Sequence, residues 1–165
     1  IGKTTKVVMG KEGNKIIRMR TTLEGVLLTP LSIVATSGGD VMHAMKKSNV
    51  GYSGFGEAYF SQVESGAIKA WKRHHEMTLN LVVPVGAIHF VLYDDRHNSS
   101  TCSEFQQVTL STENYYRLTV PPMVWVGFQG CDSNISMLLN IADTEHHPDE
   151  LDRMDLKDID FDWSK

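Results

Sequence analysis

The chain is organised as short runs of β-branched and aromatic residues, each cut off within a few positions by Gly, Pro, Asn or Asp. Runs of this kind are too short for amphipathic helices and fit strands bounded by tight turns. They fall at residues 15–21, 26–34, 57–63, 67–71, 77–84, 87–93, 104–111, 115–120, 123–129 and 136–142. So many short strands at close spacing predict an all-β sandwich or closed barrel. Only residues 39–47 (GDVMHAMKK) predict a short helix, with a second after Pro148. No repeat, linker or low-complexity block divides the 165 residues, so one domain with one core is expected.

Within this pattern the stretch GAIKAWKRHHEMTLNLVVPVG, residues 66–86, joins a basic cluster to an alternating strand. Met77, Leu79, Leu81 and Val83 share one face by the two-residue period, while Thr78 and Asn80 face away. His74 then stands at the edge of an apolar chamber, and Arg73 and His75 alternate to the outside. Taken alone, a histidine at a strand start is more often structural than catalytic. Trp71 and Trp125 belong either to the core or to a pocket lining.

Sixteen Lys plus Arg against 20 Asp plus Glu leave a formal charge of −4, which argues against a nucleic-acid partner. Much of the negative charge lies in an acidic tail, residues 148–165. No apolar run reaches the ~18 residues of a membrane span, and no signal-peptide pattern is visible, so a cytoplasmic protein without a membrane partner is expected. Cys102 and Cys131 fit reduced thiols in that setting. His146 and His147 are adjacent on an extended chain and point apart, which predicts a turn there.

The same stretch resembles the first motif of the cupins, in which two glycines frame two histidines and a glutamate. Laid on this chain, the motif runs Gly66, Lys72, His74, Leu79, Gly86; the second motif's histidine falls at about Val126. A transition metal needs three or four converging ligands, and this frame offers His74 alone, so no metal and no other cofactor is expected. Residues 55–148 resemble the dTDP-4-dehydrorhamnose 3,5-epimerase family and, more distantly, the sugar-nucleotide 3,4-ketoisomerases. The resemblance rests on FGEAYFSQVESG, GAIKAW, GAIHFVLYDDR, LSTENYYRLTVPPMVWVGF and MLLNIADTEHHPDE. It implies a cupin jelly-roll β-barrel and a homodimer made through N-terminal strands within residues 1–34.

What the family resemblance implies for chemistry is proton transfer beside a ketone of a nucleotide sugar, in surface-polysaccharide synthesis. The family's histidine, lysine and tyrosine positions fall here on Lys72, near Leu79 and near Leu139. The ketoisomerases carry a histidine where this chain has His74. The expected catalytic pair is therefore His74 as base and Lys72 as stabiliser or second base, inside a chamber lined by Leu79, Leu81, Val126 and Leu139. Asp160 or Asp162 is expected to support His74. Lys69 stands where the family binds diphosphate, and Glu57, Tyr59, Ser61 and Trp71 complete the expected substrate contacts. The alternative is a non-catalytic cupin that binds a sugar or another small ligand.

Overall fold

The computed structural model describes residues 22–164. The strand expected at 15–21, and most of the segment expected to pair protomers, lie outside the described residues. Two five-stranded antiparallel sheets pack face to face. The first contains β1 (Leu27–Pro30), β9 (Tyr116–Val120), β6 (Leu79–Val85), β11 (Ser136–Ala142) and β4 (Glu57–Val63), in that spatial order. The second runs β12 (Leu151–Arg153), β5 (Ile68–His74), β10 (Trp125–Gly130), β7 (Ala87–Tyr93) and β8 (Phe105–Ser111). A ribbon of β2 (Ile33–Val34) and β3 (Val41–Met42) lies apart from both. This is the expected jelly-roll, with its two sheets hydrogen-bonded separately.

The two-residue period decides the core. Met77, Leu79, Leu81 and Val83 point between the sheets against Ile88, Phe90, Leu92, Leu110 and Leu118. Each fully buried side chain of this kind contributes about 1.5–3 kcal/mol. Gly86, in the turn between β6 and β7, has φ +77°, and a Cβ there would run into Ser136. Ser136 Oγ instead accepts from Ala87 N–H at 3.1 Å and fixes the neighbouring strand. The outward-facing Asn80 is buried all the same: its Oδ1 accepts from Arg117 Nε at 3.1 Å and from Thr119 Oγ1 at 2.7 Å.

Residues 39–47 form no helix. Val41–Met42 pairs with Ile33–Val34, and His43 N–H is bonded to Ser32 O at 3.0 Å. The Ala44 carbonyl that a helix would need is taken by Arg117 Nη1 at 3.0 Å, and Gly38 and Gly39 adopt φ +88° and +145°. Tertiary bonding thus overrides the local helical pattern. The chain after Pro148 holds two 3₁₀ turns, Pro148–Glu150 and Leu156–Asp158, around β12. His147 caps the first, its Nδ1 accepting from Asp149 N–H at 3.3 Å, which confirms a turn at the histidine pair. Both cysteines are free, and no helix among the described residues is long and apolar enough to cross a membrane.

Candidate active site

A cavity of about 400 Å³ opens between the two sheets. One wall carries Tyr59 and Ser61 from β4, Leu79 and Leu81 from β6, and Leu138 and Asn140 from β11; the other carries residues 69–72 of β5, Val126 and Phe128 of β10, and Arg153 of β12. Among the described residues the lining is therefore an apolar floor, three hydroxyl or amide groups and cations, with no carboxylate. Such a lining suits a ligand that is anionic at one end and a carbohydrate at the other.

A defect in β5 concentrates the cations. Lys69 and Lys72 are three apart, so a regular strand would send them to opposite faces. Their partners on β10 are Phe128 and Val126, only two apart, with a register shift between. The extra residue on β5 is a bulge, and it turns both lysines into the same cavity. Arg153 stands directly opposite Lys72 in the pairing of β12 with β5.

Lys72 is half-buried and, among the described residues, has no carboxylate within ion-pair distance. Burial first, and then the charge of Arg153, hold its ammonium below the ordinary lysine value; the charges of Glu150 and Glu57 oppose this more weakly. Lys69 lies at the exposed rim, its Nζ donating to Gln62 O at 3.1 Å.

His74, the last residue of β5 rather than the start of the next strand, faces the same way as Lys72. Its side chain is buried and does not itself line the cavity. Nδ1 lies 2.5 Å from Glu150 Oε2, while Glu150 Oε1 accepts from the backbone N–H of Glu76 at 2.7 Å and of Met77 at 2.9 Å. Burial alone would raise the Glu150 carboxyl, but these two amides and His74 hold it at about 2. Burial, aided by Lys72, lowers the imidazole in spite of the bond to Glu150. With Glu150 ionised and His74 neutral, Nδ1 carries the hydrogen and donates it. That leaves the Nε2 lone pair buried and without a partner among the described residues.

The supporting carboxylate is thus Glu150, not Asp160 or Asp162. Asp160 is exposed, and Asp162 Oδ1 accepts from Ser164. Nearby Ile159, Phe161 and Trp163 pack as a latch on the outer face of the second sheet, where Trp71 meets Trp163 at 5.4 Å and Phe161 at 6.4 Å between ring centroids. Trp71 borders the cavity, yet its indole belongs to this outer cluster. Trp125 joins it, donating Nε1–H to Asp95 Oδ2 at 2.9 Å beneath the Arg73 guanidinium. Arg73 faces outward as expected, within an ion-pair network with Asp95 and Asp152 that also holds His75.

Leu139 points away from the cavity because β11 alternates; Leu138 and Asn140 face it. Tyr59 and Ser61 line the cavity, and the Tyr59 hydroxyl accepts from Asn140 Nδ2 at 2.8 Å. Glu57 stands off the lining, near enough for its charge to act on both Lys72 and Tyr59. Arg153, Asn140 and Glu150 escaped the sequence reading. Asn140 could have been found from strand alternation, whereas the other two depend on the register of β12. Among the described residues, no three His, Cys, Asp or Glu side chains come together as metal ligands would.

The sequence model of the family described as dTDP-4-dehydrorhamnose 3,5-epimerase matches residues 20–165. The chain is 30% identical over 112 residues to the probable low-salt glycan biosynthesis epimerase Agl13 of Haloferax volcanii, covering 65% of this chain and 72% of that protein. It is 27% identical over 114 residues to the spore coat polysaccharide biosynthesis protein SpsL of Bacillus subtilis, covering 67% and 76%. The crystal structure of a dTDP sugar isomerase from Desulfovibrio desulfuricans G20 superposes with a TM-score of 0.83 at 40% identity, covering 88% of this chain and 96% of that one. With a match over nearly its whole length, this chain belongs to the dTDP-4-dehydrorhamnose 3,5-epimerase family.

Proposed function

We propose that the protein is a sugar-nucleotide epimerase or isomerase of glycan synthesis, in which Lys72 removes a proton from the carbon beside a sugar ketone. The observation that carries this assignment is the placement of Lys72: a cavity-lining amine without a carboxylate partner among the described residues, its charged form disfavoured by burial and by Arg153. A neutral amine is the form that can accept a proton. Lys69 and Arg153 flank it and supply the charge for a diphosphate, with Ser61 as a further donor. Leu79, Leu81 and Val126 keep water from the developing enolate.

The expected roles of His74 and Lys72 are therefore exchanged. His74 sits one step behind the lining, oriented by Glu150 with a free Nε2, and takes up the proton that Lys72 removes. Nucleotide sugars are made in the cytoplasm, and a cytoplasmic site for this enzyme is part of the reading. So is a homodimer, supported by the apolar outer face of the first sheet, where Phe60 is 63% exposed.

The enclosure of His74 favours a second reading, a sugar-binding cupin without turnover. Proton NMR in D₂O with dTDP-4-dehydrorhamnose separates the two. An epimerase or isomerase washes deuterium into a carbon flanking the ketone, whereas thermal stabilisation by the sugar nucleotide without any incorporation would leave only the binding module.

A further inference from the structure

The bulge that turns Lys69 and Lys72 into the cavity has residues 154–163 packed over it. Between the pairs Lys72–Val126 and Lys69–Phe128, Ala70 and Trp71 together face the single residue Gly127. A Cβ at Gly127 would come within 2.7 Å of the Ala70 Cβ and 2.9 Å of Trp163 Cζ2. The missing side chain therefore leaves the room that the extra β5 residue and the Trp163 indole share. Trp71 is tied to the same segment by its backbone and its ring. Its N–H donates to Met154 O at 3.1 Å, its carbonyl accepts from Met154 N–H at 3.2 Å, and its Nε1–H donates to Leu156 O at 3.4 Å. Phe161 and Trp163 then close over the indole.

The Trp163 Nε1–H is buried and, among the described residues, has no acceptor. A buried indole usually finds one, and leaving it unmade costs stability. What the ring contributes here is its shape against Ala70, Gly127 and Trp71. We infer that Trp163 is a positioning residue for the cationic end of the cavity: seated on Ala70 and Gly127, it locks the β5 bulge in the register that keeps Lys69 and Lys72 on one face. This inference rests on the proposed reading of Lys69 as a diphosphate ligand and Lys72 as a base. Without the cover the extra residue has no fixed place, and a strand that pairs regularly sends one of the two lysines out of the cavity. The one released is Lys69, at the exposed rim, because Lys72 is held in the pairing of β5 with β12.

The test is a double-mutant cycle of Trp163→Ala with Lys69→Gln, read as the Kd for dTDP by calorimetry. Trp163→Ala should raise Kd about tenfold, and adding Lys69→Gln should then change it less than about twofold, because that lysine has already left. Trp163→Phe keeps an aromatic ring on the bulge and loses only an unbonded N–H, so its Kd should stay within about threefold of wild type. Trp163→Leu replaces Trp163→Ala in the cycle where the alanine variant is not folded by circular dichroism. A purely structural role lowers the melting temperature while Lys69→Gln still weakens binding about tenfold in the Trp163→Ala protein, and that result overturns the inference. Trp163→Phe as impaired as Trp163→Ala overturns it too. Wild type that binds dTDP but incorporates no deuterium removes the proposed reaction and leaves the cycle to decide. Wild type that does not bind dTDP removes the diphosphate reading, and the register in a crystal structure of Trp163→Ala then decides: Lys69 outside the cavity supports the inference, and Lys69 still paired with Phe128 overturns it.

Discussion

Lys72 and Arg117 are both cations withdrawn from water, and they are treated in opposite ways. Arg117 is fully enclosed, and its guanidinium spends itself on four acceptors: Asn80 Oδ1, Ala44 O, Asn49 Oδ1 and Val50 O, at 2.7–3.3 Å. Lys72 has none among the described residues, and looks into a cavity. A buried cation with all its bonds made ties segments together, here the 44–50 loop to the first sheet. One left unpaired costs stability, and that cost is tolerated where the free group does chemistry.

Removing each cation should break this contrast in opposite directions. Arg117→Leu takes the guanidinium donor from the Ala44 and Val50 carbonyls and from Asn80 and Asn49 Oδ1, and should cost about 3–5 kcal/mol, read as a large drop in chemical-denaturation midpoint. Lys72→Met removes a charge that burial penalises, and should leave that midpoint unchanged or raised. Glu150→Gln takes the acceptor from the His74 Nδ1–H and the negative charge from two backbone bonds. We expect deuterium incorporation to fall about a hundredfold, at a stability cost of about 2 kcal/mol. A Glu150→Gln protein with wild-type incorporation would disconnect His74 from the reaction.

Smaller effects follow from groups that only bind. Lys69→Gln and Arg153→Gln should each raise the Kd for dTDP about tenfold, measured by calorimetry, with little change in turnover at saturation. The mildest effect is on acid stability. His74 is held below its ordinary value, so the unfolded chain binds more protons as pH falls below about 6.5, and stability declines there. Glu150 adds to this from about 4.5 down to about 2, where its carboxylate is finally protonated. Melting temperature should fall through both windows, and His74→Asn should flatten the upper one.

Most of the fold was legible because alternation and turn residues are local signals. The runs at 57–63, 87–93 and 136–142 coincide with β4, β7 and β11. The helix expected at 39–47 failed because the bonds that decide its conformation come from Ser32 and Arg117, distant in sequence. The site divides along the same line. Lys69, Lys72, Tyr59 and Ser61 were found through the resemblance to the family, and the cavity brings them together. That Lys69 and Lys72 share a face depends on a bulge, which leaves no mark in the alternation of KAWK. Glu150 and Arg153 reach the site only through the pairing of Leu151–Arg153 with β5, and three residues are too short a run to announce a strand. The acidic tail offered several equivalent carboxylates, and composition cannot choose among them.

The central claim, that Lys72 is the base at the sugar carbon, is tested most directly by deuterium wash-in from D₂O to dTDP-4-dehydrorhamnose with folded Lys72→Met protein. We predict incorporation at least a thousandfold slower than wild type, with dTDP affinity changed by less than tenfold. Incorporation by Lys72→Met within a few-fold of wild type would contradict the claim and move the base to His74.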